Sequence, residues 1–326
     1  MGRMSAPVPA PPGSGEGGLG DVGALGTPGL PSPLYPVGDE RFERHGVRLL
    51  LKRDDLIHPS VPGNKWRKLV PNLAEAAGRT VLTFGGAYSN HLRATAAAGR
   101  LLGLPTVGVV RGDELAGLPL NPSLARCAAD GMRLCFVSRA AYRRRNDPAA
   151  LSGLLEEAGA GPGDGVLDPF VVPEGGSNEA AVRGCAELGG ELREAAAGVD
   201  VAAVACGTGG TLAGLAAGLG PRQRALGVPV LRGGFLGRDT EALQRSTFGG
   251  RRGDWWLDDR FHHGGYARVP PELEAFAADF EDRHGLPVER LYVAKMLHAL
   301  VTLVGEGAFA RGSAVAAVVT GRPEPS

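Results

Sequence analysis

A lysine directly follows a Gly-Asn turn at residues 63–65, in a position where its amine can do chemistry. Residues 61–69 read Val-Pro-Gly-Asn-Lys-Trp-Arg-Lys-Leu, so Lys65 lies between the turn and a segment of apolar periodicity. A lysine held in such a place can be partly desolvated, which makes its amine a nucleophile or a base. A lysine taken alone is more often a solvated surface residue. The interpretation of Lys65 therefore depends on the other turns of the chain.

A glycine-rich run between an apolar strand and a small-residue helix has the composition of a phosphate site. The run consists of Gly207, Thr208, Gly209, Gly210 and Thr211. Such a turn exposes backbone N–H groups at the positive end of a helix dipole, where a phosphate dianion binds. The run is not a P-loop, and the dinucleotide-binding glycine pattern fails because its last glycine would fall on Leu212. A tight turn that needs glycines for packing alone is the alternative interpretation.

A second strand-to-helix turn at residues 85–91 reads Gly-Gly-Ala-Tyr-Ser-Asn-His. Ser89 or Asn90 can cap the helix that follows, and the same turn can direct amides and short polar side chains at a carboxylate. His91 can act as a base or make a structural hydrogen bond one residue into the helix. A capped helix start without a ligand is the alternative interpretation for the whole turn.

Apolar strands alternate with helix-length segments along most of the chain. Strands are predicted at 47–52, 80–84, 106–110, 133–137, 199–205 and 314–320, and helices at 92–102, 121–130, 151–158 and 179–188. This alternation predicts right-handed βαβ units and mostly parallel sheets covered by helices on both faces. Pro71 falls inside the helix expected after Lys65, so that helix is expected to restart or kink there, at a cost of up to about 3 kcal/mol.

The three turns are expected to meet, because ligands of such α/β sheets bind at the carboxyl ends of the strands. A lysine amine, a carboxylate-binding turn and a phosphate-binding turn are the groups that a phosphorylated aldehyde cofactor and an amino-acid substrate require. The sequence therefore predicts an enzyme in which Lys65 holds such a cofactor covalently.

Composition excludes several other classes. The chain has 326 residues, is 43% hydrophobic, and carries 35 basic and 35 acidic residues, so it predicts neither a nucleic-acid partner nor an anionic membrane surface. Its four cysteines lack any Cys-x-x-Cys pair, which predicts reduced thiols without a metal site. No apolar run has the length of a membrane span or resembles a secretory signal, so a cytoplasmic location is expected. Residues 1–30 are rich in Gly, Pro, Ala and Ser, which predicts a flexible tail.

At these motifs the chain resembles the 1-aminocyclopropane-1-carboxylate (ACC) deaminase and D-cysteine desulfhydrase family. Its members are pyridoxal-phosphate enzymes with the tryptophan-synthase-β fold, fold type II. The most specific part of the resemblance is residues 63–69, where the family's cofactor lysine maps onto Lys65 and not onto Lys68. The other matches, all in the same order, are residues 52–55, Gly85-Gly86-x-x-Ser89-Asn90-His91, 207–211, Gly265-Tyr266, Tyr292-x-x-Lys295 and Thr320-Gly321.

The resemblance implies a two-domain α/β fold and a homodimer that binds pyridoxal 5'-phosphate. The large cofactor-binding domain would comprise residues 31–65 and 173–326, and the small domain residues 66–172. The resemblance implies that Lys65 is the cofactor lysine and base, that Asn90 bonds to the cofactor's phenolic oxygen, and that Thr320 contacts the pyridine nitrogen. It implies that residues 207–211 bind the phosphate. It further implies that Ser89 contacts the substrate carboxylate or the reacting atoms, and that Tyr266 and Tyr292 contact the substrate. Arg67 and Lys68 are expected to help lower the pKa of Lys65.

Two departures from the family pattern bear on the substrate. Tyr88 stands where the deaminases carry Gln, and Val293 stands where the family has an acidic residue or Thr. Both changes are expected to affect contacts with the substrate or with the pyridine nitrogen. They favour a lyase of the D-cysteine desulfhydrase type, which releases a 2-keto acid and ammonia from a small amino acid. The alternatives are an ACC deaminase, a non-catalytic pyridoxal-phosphate binder and an NAD-binding oxidoreductase, of which the last is disfavoured by the glycine spacing.

Overall fold

The computed structural model describes residues 22–166 and 168–323. Residues 1–21 of the predicted tail lie outside the described residues. In the remaining part of that tail, Leu25 is buried in a cluster with Trp66 and Leu69, and its carbonyl oxygen accepts a hydrogen bond of 2.8 Å from His58 Nε2. Packing against the core therefore begins before residue 31.

The described residues alternate between strands and helices, as the sequence predicts. The strands are β1 (Leu34–Val37), β2 (Arg48–Lys52), β3 (Val81–Gly85), β4 (Thr106–Arg111), β5 (Met132–Val137), β6 (Phe170–Val172), β7 (Val201–Cys206), β8 (Arg224–Pro229), β9 (Asp254–Leu257) and β10 (Ala314–Val318). The helices are α1 (Glu40–Glu43), α2 (Lys65–Ala76), α3 (Asn90–Leu102), α4 (Pro122–Ala129), α5 (Arg139–Tyr142), α6 (Pro148–Glu157), α7 (Glu179–Glu194), α8 (Gly210–Gly218), α9 (Leu236–Phe248), α10 (Pro271–His284) and α11 (Val293–Gly305).

The larger sheet has six strands in the order β1-β2-β10-β7-β8-β9. All neighbours are parallel except β1, which runs antiparallel to β2 at the sheet edge. Pro36 lies within β1, where an edge position tolerates its missing N–H group. The sequence did not predict this strand, because the prolines around it are typical of a loop.

The smaller sheet has four parallel strands in the order β5-β4-β3-β6. The predicted α/β class, with mostly parallel sheets flanked by helices, is confirmed. The smaller sheet is formed within residues 81–172, and the larger one from strands before and after that segment. We propose on this basis the small domain of residues 66–172 and the large domain of residues 31–65 and 173–326.

Alternate residues of the central strands belong to hydrophobic clusters on opposite faces of the larger sheet. In β2, Leu49 belongs to the cluster that includes Phe280 and Leu300 of α10 and α11. The next residue, Leu50, belongs to the cluster that includes Leu215 of α8. The period of two in β-strands thus gives the sheet two buried faces. Among the described residues, no helix has both the length and the hydrophobicity needed to cross a bilayer.

Helix α2 runs through Pro71 without interruption, so the predicted restart at this proline is wrong. Proline has no N–H to donate to the carbonyl four residues earlier, which belongs to Arg67. That carbonyl faces Gly184 of α7 so closely that a Cβ atom at residue 184 would overlap its oxygen. The close approach of α7 supports the helix at the point where the proline removes a hydrogen bond.

We expect Gly184→Ala to destabilise the protein by about 1 to 3 kcal/mol, because the added methyl group must push α7 away from α2. Gly190→Ala in the same helix is the matched control, since the nearest atom to its Cβ position is 3.8 Å away. That control is expected to be neutral or to stabilise the helix by up to about 1 kcal/mol. Denaturant unfolding measures both variants. Equal free energies of unfolding for the two would contradict the packing argument.

Candidate active site

A cavity of about 960 Å³ opens at the carboxyl ends of strands from both sheets. Nearly all the residues predicted for the site line it, namely Lys65, Ser89, Asn90, Gly207, Thr208, Gly209, Thr211, Tyr266, Tyr292 and Thr320. Gly210 belongs to the same turn but does not line the cavity. The structure thus brings together residues that are up to 255 positions apart between Lys65 and Thr320 (320 − 65).

Lys65 begins α2 and is positioned by the turn before it. Gly63 has a φ of +60°, and a Cβ atom there would overlap the carbonyl oxygen of Thr320. The Asn64 backbone N–H donates to that same oxygen over 3.0 Å, and the Asn64 side chain donates to Thr211 Oγ1 over 3.2 Å. The lysine turn is therefore fixed to the segment after the last strand and to the predicted phosphate turn.

Burial and, second, the charge of Lys68 lower the pKa of Lys65 to about 7. A large fraction of the Lys65 amine is therefore unprotonated near neutral pH, as a nucleophile or base requires. The predicted contribution of Arg67 is wrong. Its guanidinium pairs with Asp54 at 2.9 Å and with Glu191 at 2.8 Å, on the side of α2 opposite to Lys65.

The glycine-rich turn leads from β7 into α8. Gly209 precedes the helix with a φ of +81°, and Gly207 packs so that a Cβ atom would lie 3.3 Å from the Tyr292 hydroxyl oxygen. Small residues therefore keep the backbone amides at the start of α8 open to the cavity. Thr208 Oγ1 forms a hydrogen bond of 2.5 Å with Ser177 Oγ, which ties the turn to the segment after β6.

Lys68 is a second buried cation, at a position that the resemblance does not assign to the cofactor lysine. Its Nζ donates to Ser177 Oγ at 3.1 Å and to the Gly175 carbonyl at 3.2 Å. The same Nζ lies 3.1 Å from the Cβ position of Gly210, at the start of α8. Lys68 lies three residues after Lys65 on one helix, a spacing that puts both side chains on one face. This spacing could have identified Lys68 as a second cation of the site.

Ser89 and Asn90 occupy the start of α3. Ser89 Oγ accepts the Leu92 backbone N–H at 3.3 Å and so caps the helix. The Asn90 side chain makes no hydrogen bond to any described residue, and it faces the cavity. A free amide at this point is available to a ligand.

His91 is a neutral imidazole that lines the cavity, and one of its nitrogens is buried without a hydrogen-bond partner among the described residues. Thr83 Oγ1 donates to the Val172 carbonyl at 2.8 Å, so it must accept the 2.9 Å hydrogen bond from His91 Nε2. Nδ1 is consequently the unprotonated nitrogen, and within the described part of the chain it has no hydrogen-bond partner. Burial, with the charges of Lys65 and Lys68, lowers the pKa of His91 far below its ordinary value.

Two tyrosines form the opposite wall. The Tyr266 and Tyr292 rings meet edge to face, with centroids 6.2 Å apart, and the Tyr266 hydroxyl donates to the Tyr88 carbonyl at 3.3 Å. Burial raises the pKa of both phenols, so both remain protonated at neutral pH. Tyr292 is held by Glu289, whose carboxylate accepts the Tyr292 N–H at 2.7 Å.

The side chains of Tyr88 and Val293 lie outside the cavity lining, although the family pattern predicts that they affect ligand contacts. The Val293 side chain is 1% exposed and packs in the core of the larger sheet, because it points to the buried face of α11. Tyr88 is 54% exposed, and its carbonyl accepts a hydrogen bond from the Tyr266 hydroxyl. Neither residue lines the cavity.

Lys295 explains the Tyr-x-x-Lys motif. It lies one helical turn after Tyr292, and its Nζ donates to the carbonyls of His262 and Gly265 at 3.0 and 2.8 Å. These two carbonyls belong to the loop that carries Tyr266. Lys295 thus positions both tyrosines relative to each other without facing the cavity itself.

We expect Lys295→Met to loosen this loop, because it leaves two carbonyls without their charged donor, at a cost of about 1.5 to 3 kcal/mol. Amide hydrogen exchange in residues 262–268 should accelerate accordingly. Arg268→Met, at an exposed position of the same loop, is the control and should leave exchange unchanged. Unaltered exchange in the Lys295 variant would show that the loop is held by other contacts.

The chain matches the family of pyridoxal-phosphate-dependent enzymes over residues 27–321. It is 35% identical over 206 residues to the mitochondrial bifunctional D-cysteine desulfhydrase/ACC deaminase of Arabidopsis thaliana, which is 58% of this chain and 49% of that protein. It is 28% identical over 278 residues to a putative ACC deaminase of Pyrococcus furiosus, which is 80% of this chain and 81% of that protein. The match thus spans about half the length of the Arabidopsis relative.

Solved structures share the fold. The crystal structure of an ACC deaminase homologue superposes with a TM-score of 0.74 at 25% identity, over 92% of this chain and 94% of that one. A hydrogen sulfide-producing enzyme from Fusobacterium nucleatum gives a TM-score of 0.65 at 14% identity, over 93% and 97% of the two chains. The predicted fold type is confirmed by these likenesses.

The family match covers both sheets and every residue predicted for the site. It also confirms the predicted cofactor, since pyridoxal phosphate defines the family. The chain belongs to the pyridoxal-phosphate-dependent enzyme family.

Proposed function

We propose that the chain is a lyase of the D-cysteine desulfhydrase type, which removes the β-substituent of a small D-amino acid and yields a 2-keto acid and ammonia. The observation that carries the proposal is the Lys65 amine, whose pKa of about 7 suits a base, in a cavity where burial keeps Tyr266 and Tyr292 protonated. Such a set can take a proton from Cα and give one to a leaving group.

The residues of the cavity fit pyridoxal 5'-phosphate. We propose that the amides of residues 207–211 and the ammonium of Lys68 hold its phosphate, since both lie at the positive end of α8. The free amide of Asn90 would donate to the phenolic oxygen, and the Thr320 hydroxyl would face the pyridine nitrogen. A Cβ atom at residue 63 would overlap the Thr320 carbonyl oxygen, and one at residue 207 would lie 3.3 Å from the Tyr292 hydroxyl oxygen. When bound, the cofactor supplies an electron sink for the negative charge that develops at Cα.

The chain's own groups would then divide the reaction between them. The amides around Ser89 hold the substrate carboxylate, and Lys65 accepts the α-proton. The C–S bond of D-cysteine breaks with its electron pair on sulfur, and a phenol proton from Tyr266 or Tyr292 converts the departing group to hydrogen sulfide. Water then completes the balance, in which D-cysteine and water give pyruvate, ammonia and hydrogen sulfide.

ACC deamination is the second candidate. The names of the Pyrococcus furiosus and Arabidopsis relatives support it, and Ser89 and both tyrosines are present in the cavity. The cyclopropane substrate has no α-proton, so a base such as Lys65 would not begin its reaction. Release of keto acid from D-cysteine and from ACC separates the two activities. A visible cofactor spectrum without turnover of either substrate would instead favour a non-catalytic pyridoxal-phosphate binder.

We also propose a homodimer, which the resemblance implies. Light scattering of the purified protein tests this assembly, and a monomer mass would contradict it.

We expect Lys65→Ala to lose both the visible absorbance of covalently bound cofactor and keto-acid release from D-cysteine. Lys68→Met should keep the absorbance but bind the cofactor about tenfold or more weakly, since it loses only a charge-assisted contact. Absorbance spectra during cofactor titration measure both effects. A Lys65→Ala protein that retained absorbance and turnover would end the proposal.

Capture of the cofactor aldehyde is expected to depend on pH, because only the unprotonated Lys65 amine reacts. The rate at which cofactor-free protein gains absorbance should rise with pH around a midpoint near 7. The Lys68 cation lowers the pKa of Lys65, so Lys68→Met should move the midpoint to higher pH. A midpoint that stays in place or moves down in this variant would contradict the proposed coupling between the two lysines.

A further inference from the structure

Arg111 is a cation in the cavity that the proposed reaction does not use. It is the last residue of β4, it is half-buried, and it lines the cavity. Its Nη2 lies 3.3 Å from the Cβ position of Gly86. The guanidinium therefore rests against the turn that leads to Ser89, on the side of the cavity formed by the smaller sheet.

The charge of Arg111 has no carboxylate partner within the described residues, whereas the acids near it are already engaged. Glu114, three residues after Arg111, pairs with Arg139 at 2.5 Å. Glu174, which lines the cavity, pairs with Arg145 at 2.5 Å. Both carboxylates thus have an arginine partner other than Arg111.

The Tyr142 ring holds the two cavity arginines in place. The Arg111 guanidinium carbon is 5.7 Å from the ring centre, and that of Arg145 is 4.7 Å away. Tyr142 is 1% exposed, so it is a fixed platform. A cation seated against such an aromatic ring is preorganised, and it loses little side-chain entropy when it binds an anion.

The other anions of the reaction already have their own sites. The cofactor phosphate would lie at residues 207–211 with Lys68, and the substrate α-carboxylate at the amides around Ser89. Arg111 is therefore left for an additional anion, at the turn of Gly86 on the side of the cavity formed by the smaller sheet.

We propose that Arg111 is a specificity-determining residue that binds an anionic group on the substrate side chain, so that among small amino acids those with a negatively charged side chain bind more tightly than their neutral counterparts. The inference rests on the proposed function, because it places the amino group of the ligand at Lys65. An Arg–carboxylate contact of this kind favours the acidic ligand over its neutral isostere by about tenfold to a hundredfold.

The test is the calorimetric titration of the cofactor-loaded protein with aspartate and with asparagine, each as both enantiomers. These ligands differ only in the charge of the side chain, and they lack a good leaving group at Cβ, so binding is measured without elimination. We expect the wild-type protein to bind one enantiomer of aspartate at least tenfold more tightly than the matching asparagine. Arg111→Gln should abolish this preference while asparagine affinity stays unchanged.

Arg126→Gln is the matched control. Arg126 is an exposed arginine at the rim of the same cavity, and its replacement should preserve the preference. Arg111→Lys keeps the charge and should retain part of it, which guards against a folding defect in the Gln variant. Equal affinities of the wild-type protein for aspartate and asparagine would overturn the proposal. An equal loss of affinity for both ligands in Arg111→Gln would also overturn it, because that result would assign Arg111 to the α-carboxylate.

Failure of the proposed reaction gives a different result. A protein that releases no keto acid from D-cysteine but still prefers aspartate through Arg111 would contradict the lyase activity and support the anion site. A protein that degrades D-cysteine without any preference for aspartate would support the lyase activity and contradict the anion site at Arg111.

Discussion

The geometry of the cavity depends on the ion pairs of the buried Arg67 guanidinium. Its side chain is fully buried, and it donates to Asp54 after β2 and to Glu191 in α7. Lys52 adds a second charge to Glu191 from the end of β2. Removal of one partner from a buried network of this kind costs about 3 to 5 kcal/mol, because the remaining charge is left without compensation. The network therefore fixes α2, and with it Lys65 and Lys68, against the larger sheet.

Lys65 and Lys68, on the other side of α2, have no carboxylate partner among the residues that the structure describes. Burial of an amine without a counter-ion is unfavourable, and together with the charge of Lys68 it lowers the pKa of Lys65 to about 7. The anions of the proposed reaction would each meet a different positive group, with the phosphate at α8 and Lys68 and the side-chain anion at Arg111. This separation allows the cofactor and the substrate to be recognised independently within one cavity.

Several residues acquire their roles only through distant contacts. Lys68 is three residues from Lys65, but its contacts with Ser177 and the start of α8 come from segments more than 100 positions away. Val293 occupies a motif position, yet the rotation of α11 turns it into the core. The close packing of α7 against α2 at Gly184 allows α2 to continue through Pro71, although proline tends to end or kink a helix. Local pattern carries no information about these neighbours.

The alternation of strands and helices, the parallel α/β class and the turns at residues 63–65, 85–91 and 207–211 can all be predicted from the sequence alone. This is possible because period-two and helical patterns, glycine turns and caps are properties of neighbouring residues. Three properties follow from the tertiary structure alone: which nitrogen of His91 lacks a partner among the described residues, which lysine lies beside the glycine-rich turn, and which cavity arginines form no ion pair with a described residue. These properties are set by burial and by the distances between charges, and both arise only when the two sheets come together around the cavity.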